Sequence, residues 1–140
     1  MEYFLDTANL NEIEKINDIF PLMGVTTNPS IIAKEKKDFK EIITNIFNII
    51  GKDKIVHGQV LGSTANIIIK EAKILKDTFG ENFYIKIPVT TEGIKAMKIL
   101  SKDGYKITAT GILSPQQIII AAESGAEYMA PYINRSDNIG

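Results

Sequence analysis

Residues 83–89 read Phe-Tyr-Ile-Lys-Ile-Pro-Val, an aromatic and β-branched run with one lysine, Lys86, at its centre. Such a run reads as a strand covered on both faces, the pattern of a central strand in a parallel sheet. An ammonium is expensive there, because it gives up its water and an apolar interior returns little. The position therefore demands a chemical reason. A desolvated amine provides one: its pKa falls from about 10.4 towards neutrality, and the free amine can attack a carbonyl to form a Schiff base.

Outward from this strand the chain repeats one beat. Upstream, EYFLDT predicts a strand, Leu10 to Phe20 a helix capped by Asn9, MGVTTN a strand, and Pro29 to Ile50 one long helix with proline in its first turn. KIVHGQV predicts the third strand, and Thr64 to Phe79 a helix closed by Gly80. Downstream, Glu92 to Lys102 is helical and KITATGI a strand; Pro115 to Glu123 is helical and YMAPYIN the sixth strand. The run EKKDFK, from Glu35 to Lys40, is read as a solvated face of the second helix. Six strands and five helices in strict alternation predict an α/β fold with a parallel sheet, in one domain spanning residues 1–140.

Each strand ends in a residue able to react or to hydrogen-bond: Asp6, Asn28, Gln59, Lys86, Thr110 and Tyr132. In a closed barrel all strand ends meet at one mouth, so these six would converge; a doubly wound sheet would instead carry a glycine-rich turn after its first strand. LDTANL contains no glycine. The TIM (β/α)8 barrel is the better reading, with the site at its C-terminal face. Singly, each residue has a plainer role open to it. Asp6 could serve a turn, Asn28-Pro29 is a turn dipeptide, and Tyr132 could bury its ring. His57, two residues before Gln59, is read as a satisfied core histidine one layer deeper.

Composition narrows the function. The net charge of -1 offers no basic stripe for nucleic acid, no cysteine is present for a thiol nucleophile or a disulfide, and one histidine cannot make a histidine-rich metal site. No cofactor or metal is expected. No signal peptide and no apolar run of about twenty residues is visible, so the cytoplasm is the expected compartment and no membrane partner is expected.

LDTANL, GVTTNPSII, the glutamine of HGQV, YIKIPVT, TATGILSPQQ and AEYMAPYINR together resemble successive signatures of the transaldolase family, in particular its small branch that includes fructose-6-phosphate aldolase. The resemblance implies the (β/α)8 barrel and a class I aldolase mechanism of carbohydrate metabolism with Lys86 as the Schiff-base lysine. It further implies that Asp6 assists proton movement, Asn28 orients donor hydroxyls, Thr110 helps to hold a water and Arg135 receives the sugar phosphate. Gln59 and Tyr132 look like the aldolase branch, where ordinary transaldolases carry a glutamate and an SPF-like motif. A phenol can carry a proton and a neutral amide can fix a water. The expected reaction is cleavage or formation of fructose 6-phosphate from dihydroxyacetone and glyceraldehyde 3-phosphate. The alternative is dihydroxyacetone transfer between sugar phosphates in the pentose phosphate pathway. A deoxyribose phosphate aldolase is disfavoured by TTNPS and APY.

One departure concerns length. A complete barrel of this type needs at least about 200 residues, and here the pattern stops after the sixth strand. A fragment of a longer protein, or a truncated remnant or assembly partner, is expected to lack strands seven and eight. The family's seventh-strand serine and the C-terminal helix that supports homo-oligomers have no counterpart to assign.

Overall fold

A computed structural model describes residues 1–133. The chain runs β1 (Phe4–Asp6), α1 (Leu10–Ile19), β2 (Gly24–Thr26), α2 (Pro29–Lys34), α3 (Phe39–Ile50) and β3 (Ile55–Gln59). It continues through α4 (Ala65–Phe79), β4 (Phe83–Pro88), α5 (Thr91–Lys102), β5 (Ile107–Ile112), α6 (Pro115–Glu123) and β6 (Tyr128–Pro131). All six strands are parallel and pair in sequence order. Every crossover is helical, the usual way to join parallel neighbours, and the one from β2 to β3 holds both α2 and α3.

The anticipated helix from Pro29 to Ile50 is two helices. Lys36 takes a left-handed conformation with φ 53°, and Asp38 caps a new helix, its carboxylate accepting from the amides of Lys40 at 2.9 Å and Glu41 at 3.3 Å. A charged, exposed EKKD segment gains little from staying helical, and aspartate offers the backbone a cap instead. Among the described residues the helices therefore number six, and Glu35 to Asp38 form a connection rather than a helical face. The other caps match their sequence signals: Asn9, Asn28, Thr64, Thr90 and Ser114 each accept from an amide in the first turn.

Strand alternation divides the sheet into two faces. On the outer face Val56, Ile85, Ile87, Ile107 and Ala109 are buried in one cluster with Ile43, Ile46, Met97 and Leu100 of the helices. Each fully buried isoleucine contributes about 2 to 3 kcal/mol. On the inner face the sheet curls until side chains of its two edge strands touch: the rings of Phe4 on β1 and Tyr128 on β6 lie 5.4 Å apart, and the Tyr128 hydroxyl donates to Glu2 at 2.7 Å. Among the described residues β1 and β6 share no hydrogen-bonded register. The sheet is thus six strands of a TIM barrel, curled but open along one seam.

Candidate active site

Lys86 lies on the inner face of β4 and is only 6% exposed. Its Nζ donates to the carbonyl oxygen of Thr27 at 3.0 Å, two strands away. Burial lowers its pKa, with Asp6 pulling the other way. An ammonium has three protons to place, and one acceptor serves it poorly. The free amine is correspondingly favoured.

Thr27 can present that carbonyl because its other groups are committed. Its hydroxyl donates to the His57 carbonyl at 2.8 Å and its amide donates to the same oxygen at 3.0 Å. The sequence reading did not single out Thr27, and a backbone acceptor leaves no mark in residue type. The double threonine of TTN was the one available hint, since Thr26 also serves the site: its hydroxyl donates to Asp6 at 2.5 Å. Asp6 itself is exposed at the end of β1.

The remaining expected residues stand at the same end of the sheet in different ways. Gln59 is the register partner of Lys86 on β3 and is half-buried. The connection after it is held by Glu71, whose carboxylate accepts from the amides of Leu61 at 2.8 Å and Gly62 at 3.0 Å. Asn28 caps α2 through its Oδ1, which accepts from Ile31 at 3.0 Å. Asn28 and Gln59 both line a mainly apolar cavity of about 400 Å³ between α2 and α4, which Lys86 does not line. Thr110 is buried on β5 and pairs in register with Pro88. A bulge at Gly111, φ 68°, follows it, and the Tyr132 amide donates to the Ile112 carbonyl at 3.0 Å. Tyr132 lies just past the end of β6 with its side chain exposed. Arg135 lies outside the described residues.

Beneath Lys86 the inner face is aromatic. His57 is packed among Phe4, Tyr84 and Tyr128 at centroid distances of 5.0, 5.3 and 5.2 Å, and its Nδ1 is 2.7 Å from the Thr108 hydroxyl. Its Nε2 has no hydrogen-bond partner among the described residues, so the expected satisfied core histidine is satisfied on one side only. Burial first, and the Lys86 charge second, push its pKa down to about 4. Tyr84 donates to Glu127 at 3.0 Å, below the same floor. Among the described residues no group of three or more His, Asp or Glu is arranged to hold a metal, and no helix is long and apolar enough to cross a membrane.

The family described as Transaldolase/Fructose-6-phosphate aldolase matches residues 3–140. A protein of Lachnoclostridium phytofermentans named "Probable transaldolase" is 46% identical over 99% of this chain, and one of Streptococcus pneumoniae named "Probable fructose-6-phosphate aldolase" is 44% identical over 99%. The chain spans 64% and 63% of those two relatives. Among solved structures, the TIM barrel of dihydrodipicolinate synthase from Rhodopseudomonas palustris superimposes with a TM-score of 0.57 at 14% identity, over 88% of this chain and 50% of that one. That likeness bears on the fold alone. With the family's sequence pattern in register from β1 onwards and the curled parallel sheet beneath it, the chain belongs to the transaldolase/fructose-6-phosphate aldolase family.

Proposed function

We propose that the protein carrying this sequence is a class I aldolase that cleaves and forms fructose 6-phosphate through an imine on Lys86. The observation that carries the reading is a buried amine with a single backbone acceptor at the C-terminal end of a barrel strand. Free amine attacks the ketose C2, the carbinolamine loses water, and the resulting iminium draws the electron pair of the C3–C4 bond as that bond breaks. A base takes the C4 hydroxyl proton as glyceraldehyde 3-phosphate leaves. The enamine is then reprotonated at C3, and water releases dihydroxyacetone and the amine. Asp6 and Tyr132 are the proton carriers in this scheme, Gln59 and Thr110 position water, Asn28 orients donor hydroxyls and Arg135 receives the phosphate.

Treatment with fructose 6-phosphate and borohydride is expected to add the mass of the reduced dihydroxyacetone adduct to the peptide containing Lys86. Adduct on another lysine, or none, rejects the assignment. Lys86→Arg should leave no trapping, since guanidinium does not become a neutral nucleophile.

The second reading, transaldolase, is supported by relatives that bear that name. The two separate on one condition: an aldolase cleaves fructose 6-phosphate unaided, whereas a transaldolase waits for an acceptor such as erythrose 4-phosphate. The described residues carry six strands with an open seam, and residues 1–140 tested alone should be inactive and self-associating. Bare strand edges recruit partners, and a wetted cavity returns the amine towards its solution pKa. A monodisperse, active monomer would show that six strands suffice.

A further inference from the structure

Lys86 and Thr108 are register partners on β4 and β5, so their side chains stand side by side on the inner face. Thr108 does not bond the lysine; its hydroxyl is 2.7 Å from His57 Nδ1, reached across β4 from below. We propose that His57 is a positioning residue for Lys86: by engaging the Thr108 hydroxyl from beneath, it holds that oxygen at the floor, and the Thr27 carbonyl is the only hydrogen-bond acceptor Lys86 has among the described residues. The functional consequence rests on the reading of Lys86 as the imine-forming amine; the arrangement itself does not.

Filling the floor does not explain the residue. A phenylalanine would pack as well among Phe4, Tyr84 and Tyr128 and would bury no orphaned nitrogen, whereas His57 is 2% exposed and leaves Nε2 without a partner. The polar atom put to use is Nδ1. The charged and titratable groups around the ring act consistently with this role. Lys86 lies above it, and the Tyr84 and Tyr128 phenols are held by Glu127 and Glu2. Asp6 on β1 is engaged by Thr26, and Lys106 lies over the far Tyr84 ring at 5.4 Å. No carboxylate touches the imidazole among these contacts, so nothing favours its charged form.

The test is competitive labelling of Lys86 with acetic anhydride between about pH 5 and pH 10, read by peptide mass spectrometry on the protein carrying this sequence. His57→Gln keeps an amide able to bond Thr108 and should label like the parent. His57→Phe releases the Thr108 side chain to rotate and bring its oxygen towards the ammonium, and the labelling midpoint should rise by about one pH unit, a roughly tenfold loss of reactivity at neutral pH. Thr108→Val added to His57→Phe removes the freed acceptor and should restore the parent midpoint. An unchanged midpoint in a folded His57→Phe variant, or no restoration by Thr108→Val, overturns the proposal. If His57→Phe does not fold, ring resonances of His57 in the parent decide: they should shift on reductive methylation of Lys86, and an unmoved imidazole overturns it. Because no sugar is used, failed borohydride trapping with normal His57-dependent labelling would reject the aldolase reading and keep this one.

Discussion

The floor and the mouth of the curled sheet are built from the same strands two residues apart, yet they obey opposite rules. At the floor, Phe4, His57 and Tyr84 each meet Tyr128 edge to face, His57 lies tilted against Tyr84, and both phenols are paired with carboxylates. At the mouth, Lys86 is buried with one acceptor, Asp6 and Tyr132 are exposed, and Gln59 is half-buried. One end spends side chains on cohesion, and the other buries an amine that has a single acceptor among the described residues. Such a group is costly to keep, and that cost is the usual mark of a reacting centre. The floor underlies the mouth: its rings pack at centroid distances of 5.0 to 5.4 Å beneath Lys86.

The contrast breaks most sharply at Lys86. Lys86→Met should abolish borohydride trapping while raising stability by about 1 to 3 kcal/mol, because a buried cation is replaced by an apolar chain of similar length. Denaturant melts alongside mass spectrometry check both halves; a destabilised Lys86→Met would mean that the lysine contributes to cohesion after all.

His57 tests the floor through pH. Its folded-state pKa of about 4 lies below the ordinary 6.5, so the neutral ring is favoured by folding. The associated stability is fully present above about pH 6.5 and is lost as pH falls towards 4, by roughly 2 to 4 kcal/mol. His57→Gln should remove that slope from urea midpoints measured across the window. An identical acid slope in the variant would assign the loss to other groups.

Phe4→Ala should cost about 2 to 3 kcal/mol, since a half-buried ring leaves its contacts with His57 and Tyr128. It should also speed exchange of the His57 ring with solvent, measurable by NMR. The smallest effect belongs to neither region. Ser114→Ala removes one half of the capping box on α6 and should lower stability by about 1 kcal/mol. Labelling of Lys86 and the acid slope should both stay as they were; a change in either would show that the helical shell, not the inner face, governs the difference.

Much of this was legible in residue order. Runs such as 83–89 and 107–112 announce strands through β-branched content, and Asn9 and Gly80 punctuate helices through capping preferences that act over a few residues. The burial of Lys86 followed from its neighbours in the same strand. Less legible was the break at Lys36 to Asp38, where apolar spacing continues across a connection and a capping aspartate overrides it. The long-helix reading missed that competition between cap and helix.

Local pattern thus accounts for the elements, their order, the parallel sheet and the lysine out of place, because periodicity and turn chemistry are properties of short stretches. The partners of that lysine are another matter. Thr27 lies 59 residues from Lys86, His57 lies 51 from Thr108, and Tyr128 meets Glu2 across 126. Those pairs exist only because the twist of six parallel strands curls the sheet until distant inner-face side chains touch, and no interaction along the chain encodes which of them will meet.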